Sequence, residues 1–251
     1  MLYESSNNQG IYSPREPRKN YYYRCVEENF EVLERVWDDR YQNTYGYWRT
    51  HILDVIYDYL DCGNLHLGFA RVKCEDCNKE YLLPFSCKRR AFCPSCHQRR
   101  VVEFGEFLYT EVLKEVSHRQ WVFSIPKRLR CYFMYDRKLL AKLSRCAWKV
   151  LCDYLKSSSG DKDSVPGVVI AVQTFGDFLN FNPHLHVIAT DGCFKGDGDF
   201  IKSVLPQGKD IEKVFQSEVL KMLKKEGKIN QFIIDNMLSW ENTGFNVYCG
   251  E

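Results

Sequence analysis

Two pairs of cysteines and one pair of histidines have spacings that can do chemistry. Cys74-Glu-Asp-Cys77 and Cys93-Pro-Ser-Cys96 are two C-x-x-C turns with fifteen residues between them. Each turn presents two thiolates from one tight bend, and four thiolates meet the preference of zinc for soft ligands in a tetrahedron. The spacing predicts a structural zinc ion held by Cys74, Cys77, Cys93 and Cys96. A single C-x-x-C would equally suit thiol redox chemistry, and the matched pair argues against that reading. The segment between the pairs is polar and basic, and would hardly bury a core without metal. Cys62 and Cys87 are left over. They read first as buried thiols or as groups packed around the zinc, and second as ligands of another ion shared with His66 or His97. Cys25, Cys131, Cys146, Cys152, Cys193 and Cys249 are scattered and read as structural.

The histidines lie in Asn182-Pro-His-Leu-His-Val-Ile-Ala-Thr190. In a strand, residues two apart point to the same face, so His184 and His186 project together and Leu185 faces the other side. Two imidazoles on a rigid strand make two legs of a divalent-metal site. Val168–Thr174 reads as the partner strand of a hairpin. A symmetric closure puts Gln173 opposite His184 and Ala171 opposite His186, which makes Gln173 a candidate oxygen ligand.

The elements that must position these groups follow from hydrophobic period. Phe30, Leu33 and Trp37 recur at helical spacing, as do Trp48, Ile52, Val55 and Tyr59 before Gly63. Val101, Leu108, Val112 and Val116 suggest a helix after the cysteine block. Gln120–Ile125 is β-rich and stops at Pro126. Leu139–Leu155 is an amphipathic helix, 156–166 a polar loop, and Ile211–Glu226 another helix. The order strand, helix, strand, strand, helix predicts an α+β fold, in which an antiparallel sheet is covered by helices on one face. Residues 1–20 read as a flexible lead-in, 21–116 as a helical zinc-binding domain and 117–251 as the sheet domain.

The net charge of +2 hides a local excess of cations. Lys88, Arg89 and Arg90 sit between the cysteine pairs, Arg99 and Arg100 follow them, and Lys127, Arg128 and Arg130 come next. Cations fixed on a zinc-braced surface can track phosphates, which points to a nucleic-acid partner. Twelve cysteines behind a polar N-terminus without an apolar signal core indicate metal in a reducing cytoplasm rather than disulfides. No apolar run is long enough to span a membrane.

Several segments, in order, resemble one family. Gly68-Phe-Ala-Arg-Val-Lys-Cys-Glu-Asp-Cys77, Phe85-Ser-Cys-Lys-Arg-Arg90 and Phe92-Cys-Pro-Ser-Cys96 resemble the zinc-binding N-terminal domain of bacterial transposases of the insertion sequence ninety-one type. Trp121–Arg130, Val172-Gln-Thr-Phe-Gly176 and Asn182-Pro-His-Leu-His186 resemble the HUH nuclease domain that follows it. The resemblance implies a magnesium or manganese ion at His184 and His186 and single-stranded or hairpin DNA ends as substrate. It also implies a tyrosine that attacks the scissile phosphate, giving a 5′-phosphotyrosine link. In the family that tyrosine lies on a helix after a segment like Thr243–Gly250, so it is expected downstream of Glu251. The resemblance therefore implies a transposase chain cut short before its nucleophile. The other reading is a zinc-dependent DNA-binding remnant without catalysis.

Overall fold

The computed structural model describes residues 19–89, 91–176, 180–203 and 208–250. The chain divides into two compact units, Met1–Val112 and Leu113–Glu251.

In the first unit, α1 (Tyr21–Arg40) begins at Asn20, whose side chain accepts the Tyr22 N–H at 2.9 Å and satisfies one of the donors that a helix start leaves open. A single turn, α2 (Gln42–Tyr45), leads to α3 (His51–Leu60). Aromatic rings hold these helices together: Phe30 meets Tyr57 edge-on at 5.8 Å, and Trp37 meets Trp48 at 5.1 Å. An antiparallel hairpin follows, β1 (Phe69–Lys73) and β2 (Glu80–Pro84), with Phe69 opposite Pro84 and Lys73 opposite Glu80. The period reading did not find it, because its residues are mostly exposed and show no apolar alternation. Helix α4 (Pro94–Phe107) starts earlier than Val101, since Cys93 caps it and Pro94 supplies the φ that a first turn wants. It runs on through a wider turn at Leu108–Val112, and Val116 lies beyond it.

The second unit is the predicted α+β arrangement. Its four-stranded antiparallel sheet has the order β4-β5-β3-β8, from β3 (His118–Ser124), β4 (Val168–Phe175), β5 (Phe181–Thr190) and β8 (Asn246–Cys249). Helices α5 (Lys127–Tyr135), α6 (Lys138–Ser159), α7 (Gly208–Lys225) and α8 (Gln231–Leu238) join the core, and a small hairpin pairs β6 (Gly192–Phe194) with β7 (Phe200–Lys202). One sheet face supplies Trp121, Phe123, Leu185, Val187, Ala189 and Val247 to the core. The helices answer with Leu139, Leu143, Ala147, Val150 and Leu151 from α6 and with Ile211, Phe215 and Val219 from α7. The opposite face is formed by partly or largely exposed residues, the two histidines among them.

Phe123 is fully buried, with its ring 4.8 Å from that of Phe215. Truncation there leaves a cavity between sheet and helix that neither can collapse to fill. Phe123→Ala should destabilise the second unit by about 3–5 kcal/mol, read as a lower denaturation midpoint in urea.

Candidate metal centres

The first unit gathers four sulfurs. Cys62 lies just past the cap of α3, Cys87 follows β2, and Cys93 and Cys96 occupy the cap and first turn of α4. Their sulfur atoms all lie within 4.8 Å of one another. Cys62 lies 3.8 Å from Cys96 and 3.7 Å from Cys93, and Cys87 lies 3.7 Å from Cys96. A tetrahedron with zinc–sulfur bonds of about 2.3 Å has edges of about 3.8 Å. The sulfurs thus stand where four thiolates around one zinc would stand. Backbone N–H groups point at them as well, from Cys87 to Cys62 and from Arg89 to Cys87, both at 3.4 Å. Lys88 takes a positive φ of 56°, which bends the chain around the Cys87 sulfur.

Burial dominates the electrostatics. It pushes the Cys87 thiol up and the Cys93 thiol up to about 11. At Cys96 burial also raises the pKa, but hydrogen bonds from Cys87, Cys93 and the Lys88 N–H outweigh it and the net shift is downward. Four thiols this close, three buried and one half-buried, resist joint ionisation unless a cation sits among them, and the α4 N-terminus adds its positive dipole end. The aromatic residues Tyr23, Tyr59 and Phe92 pack around this cluster, so the sulfurs are themselves core.

This grouping differs from the expected tetrad. Cys93 and Cys96 are joined by Cys62 and Cys87, while Cys74 and Cys77 are exposed at the tip of the β1–β2 hairpin. The reason is the hairpin itself. Its base is tied to the cluster by hydrogen bonds from Gly63 N to Phe85 O and from Phe85 N to Gly68 O. Five residues per strand then carry the tip about 16 Å away. Cys74 and Cys77 keep a knuckle shape of their own. The Cys77 backbone N–H, the Cys77 side chain and the Asp76 N–H lower the Cys74 pKa, and Asn78 turns the chain at φ 55°. Cys62 was missed because it stands alone at a helix end, twenty-five residues from Cys87.

The expected DNA-facing cations divide by environment. Lys88 and Arg99 line a cleft of about 400 Å³ with Phe85, Ser86 and Gly63. Arg99 also pairs with Glu103 one turn on, and Arg100 lies over the Phe104 ring. Arg89 is held by Asp58 at 2.5 Å. Arg90 lies outside the described residues. In the second unit Lys127 is exposed, Arg128 contacts Asn236 and the Trp240 ring, and Arg130 is partly buried against the Ile125 carbonyl.

On β5 the histidines project together. His184 and His186 have ring centroids 4.9 Å apart. His184 Nδ1 is 2.7 Å from the Asn182 carbonyl, so it carries the proton and leaves Nε2 with a lone pair to offer. Burial, then the neighbouring His184, lower the His186 pKa and favour its neutral, ligating form. The strand register has Gln173 opposite His184 and Ala171 opposite His186. Gln173 spends its Nε2 on the Phe175 carbonyl, which leaves its oxygen. On the other side Ser124 stands opposite His184 and Val122 opposite His186. Pro183 costs no ladder bond here. It lies past the last β3 pair and opposite the irregular stretch of β4 between Gln173 and Phe175. Asn182, two residues before His184 on the same side of the strand, has a buried Oδ1 without a hydrogen-bond partner. Its amide packs where a Cβ on residue 176 would come within 3.0 Å, so glycine at 176 lets it sit there. A buried orphan oxygen beside two imidazoles is a donor set that suits a divalent cation.

Two family models match the chain. "Transposase zinc-binding domain" covers residues 32–125 and "Putative transposase" covers residues 167–250. Among curated proteins, the "Transposase for insertion sequence element IS801" of Pseudomonas savastanoi pv. phaseolicola is 30% identical over 141 residues, 55% of this chain and 33% of that protein. The "Putative transposase y4qJ" of Sinorhizobium fredii is 24% identical over 140 residues, 55% of this chain and 34% of that protein. The matched stretch is thus about a third of the length of either relative. No solved structure matches the chain. No helix among the described residues is long and apolar enough to cross a membrane. The cysteine cluster of the first unit and the histidine strand of the second thus each lie within a transposase match, and the chain is similar to IS91-type transposases.

Proposed function

We propose that the chain binds DNA in the cytoplasm through its zinc-braced first unit and acts on a phosphate of single-stranded or hairpin DNA at the β5 histidines. The reaction is the nicking and joining step of transposition. The observation that carries this reading is the histidine pair: two adjacent imidazoles and an orphan oxygen on one sheet face, with a ring nitrogen of His184 held by a backbone carbonyl. Magnesium or manganese held there would supply Lewis-acid polarisation of the phosphate. His184 and His186 would bind it through nitrogen, with the Gln173 or Asn182 oxygen as a third protein ligand. Ser124, beside His184, offers a hydroxyl to a phosphate oxygen. The resemblance puts the nucleophilic tyrosine on a helix after Thr243–Gly250. A covalent link to it would conserve the bond energy for rejoining.

In the first unit we assign the zinc to Cys62, Cys87, Cys93 and Cys96, with a structural role. Its binding is a large part of that unit's folding free energy, on the order of 10 kcal/mol. Lys88 and Arg99 line the cleft beside it and face phosphates. The Arg99–Glu103 pair is exposed and weak, so Arg99 can change partners.

Three measurements check these assignments. Elemental analysis should find one zinc per chain, lost on Cys62→Ser or Cys87→Ser and kept on Cys74→Ser. The opposite pattern would return the ligand set to the two C-x-x-C turns. Fluorescence anisotropy with single-stranded oligonucleotides should show affinity falling steeply with salt. Replacing Lys88 and Arg99 together by Ala should flatten the slope of log K against log salt by about 1.4, and an unchanged slope would place the strand elsewhere. Electron paramagnetic resonance titration with Mn²⁺ should show binding strengthened by single-stranded DNA and abolished by His184→Ala. Equal Mn²⁺ binding by wild type and variant would remove the metal from β5.

A further inference from the structure

We infer that Tyr248 is a stacking platform for a base of the single strand whose phosphate sits at the histidine pair, an assignment that rests on the reaction proposed above. Tyr248 pairs with Val122, and Val122 pairs in turn with His186. Directly paired residues share a sheet face, so His186, Val122 and Tyr248 form one row across β5, β3 and β8. The neighbouring row is His184, Ser124 and Asn246. With strands 4.7–4.9 Å apart, the Tyr248 backbone stands about 10 Å from that of His186. Only Val122 and Ser124, both short, lie between the two ends of these rows. The floor from the histidines to the tyrosine is therefore low and open.

Tyr248 is not used by the core. Strand β8 buries Val247 and leaves Tyr248 60% exposed. A single exposed aromatic is ordinary on any surface. The row sets this one apart, since it continues the phosphate site at the distance of a neighbouring nucleotide. Single strands are held by a phosphate site together with aromatic faces on which bases stack, and stacking tolerates any base. Stacking uses the ring and not the hydroxyl, so phenylalanine should serve as well.

The test uses the whole chain with Mn²⁺ and single-stranded oligonucleotides carrying 5-iododeoxyuridine at successive positions. These are irradiated, digested and mapped by mass spectrometry. A crosslink at Tyr248 is expected, kept in Tyr248→Phe and lost in Tyr248→Ala. Tyr248→Ala should also weaken oligonucleotide binding by roughly 5- to 150-fold, with zinc content and melting temperature unchanged. Binding as tight as wild type in Tyr248→Ala overturns the platform. So does a loss in Tyr248→Phe as large as in Tyr248→Ala, which would assign the role to the hydroxyl. Crosslinks on β3 or β5 without Tyr248 overturn the platform alone. Crosslinks confined to the first unit overturn the DNA reading of the sheet face, and the platform with it.

Discussion

On β5, Leu185, Val187 and Ala189 are fully buried, while His184, His186 and Ile188 between them are partly exposed. A strand sends alternate side chains to opposite faces, so the burial of one set leaves the other set in line on the far side. A slip of one residue would put two imidazoles against Phe123 and Phe215 and leave Leu185 and Val187 in water. The core of the second unit therefore holds the register that makes the histidines neighbours. The pairing of β3 and β4 with β5 extends the same constraint across the sheet. It aligns Gln173, Ser124 and Asn246 with His184, and Ala171, Val122 and Tyr248 with His186.

The first unit depends on a different constraint. Its buried apolar residues are few, and the buried cluster around Tyr23 and Tyr59 counts three cysteine sulfurs among its members. A core that small, made partly of thiols that burial disfavours as thiolates, gains its cohesion from what the sulfurs bind in common. The end of α3, the turn at Lys88 and the start of α4 each deliver a sulfur with a backbone N–H or helix dipole nearby. The hairpin between them is a lever whose base belongs to the cluster and whose tip does not.

The two units divide the work in the proposed reading. The first offers cations on a rigid support: Lys88 and Arg99 beside the cleft, and Arg100 over a ring. Several other cations are spent within the fold, Arg89 on Asp58, Arg128 on Asn236 and Trp240, and Arg130 on the Ile125 carbonyl. A basic stretch in a sequence is therefore a poor count of the charges left to meet phosphate.

Local spacing settled part of this protein. The H-x-H pattern placed both imidazoles on one side because strand period is a covalent property of extended backbone. The apolar face of α6 was readable for the same kind of reason. The pairing of Gln173 with His184 followed only from assuming a symmetric hairpin, because a buried face excludes a slip of one residue and not of two. The cysteine cluster shows where local spacing stops. Cys74-x-x-Cys77 and Cys93-x-x-Cys96 look alike along the chain, yet a hairpin of five-residue strands separates them by its own length. In their place come Cys62 and Cys87, one from a helix end and one from a strand exit, which no spacing rule connects. The row that joins Tyr248 to His186 is tertiary in the same sense. They stand sixty-two positions apart in sequence, and only the return of the chain as edge strand β8 beside β3 sets them on one face.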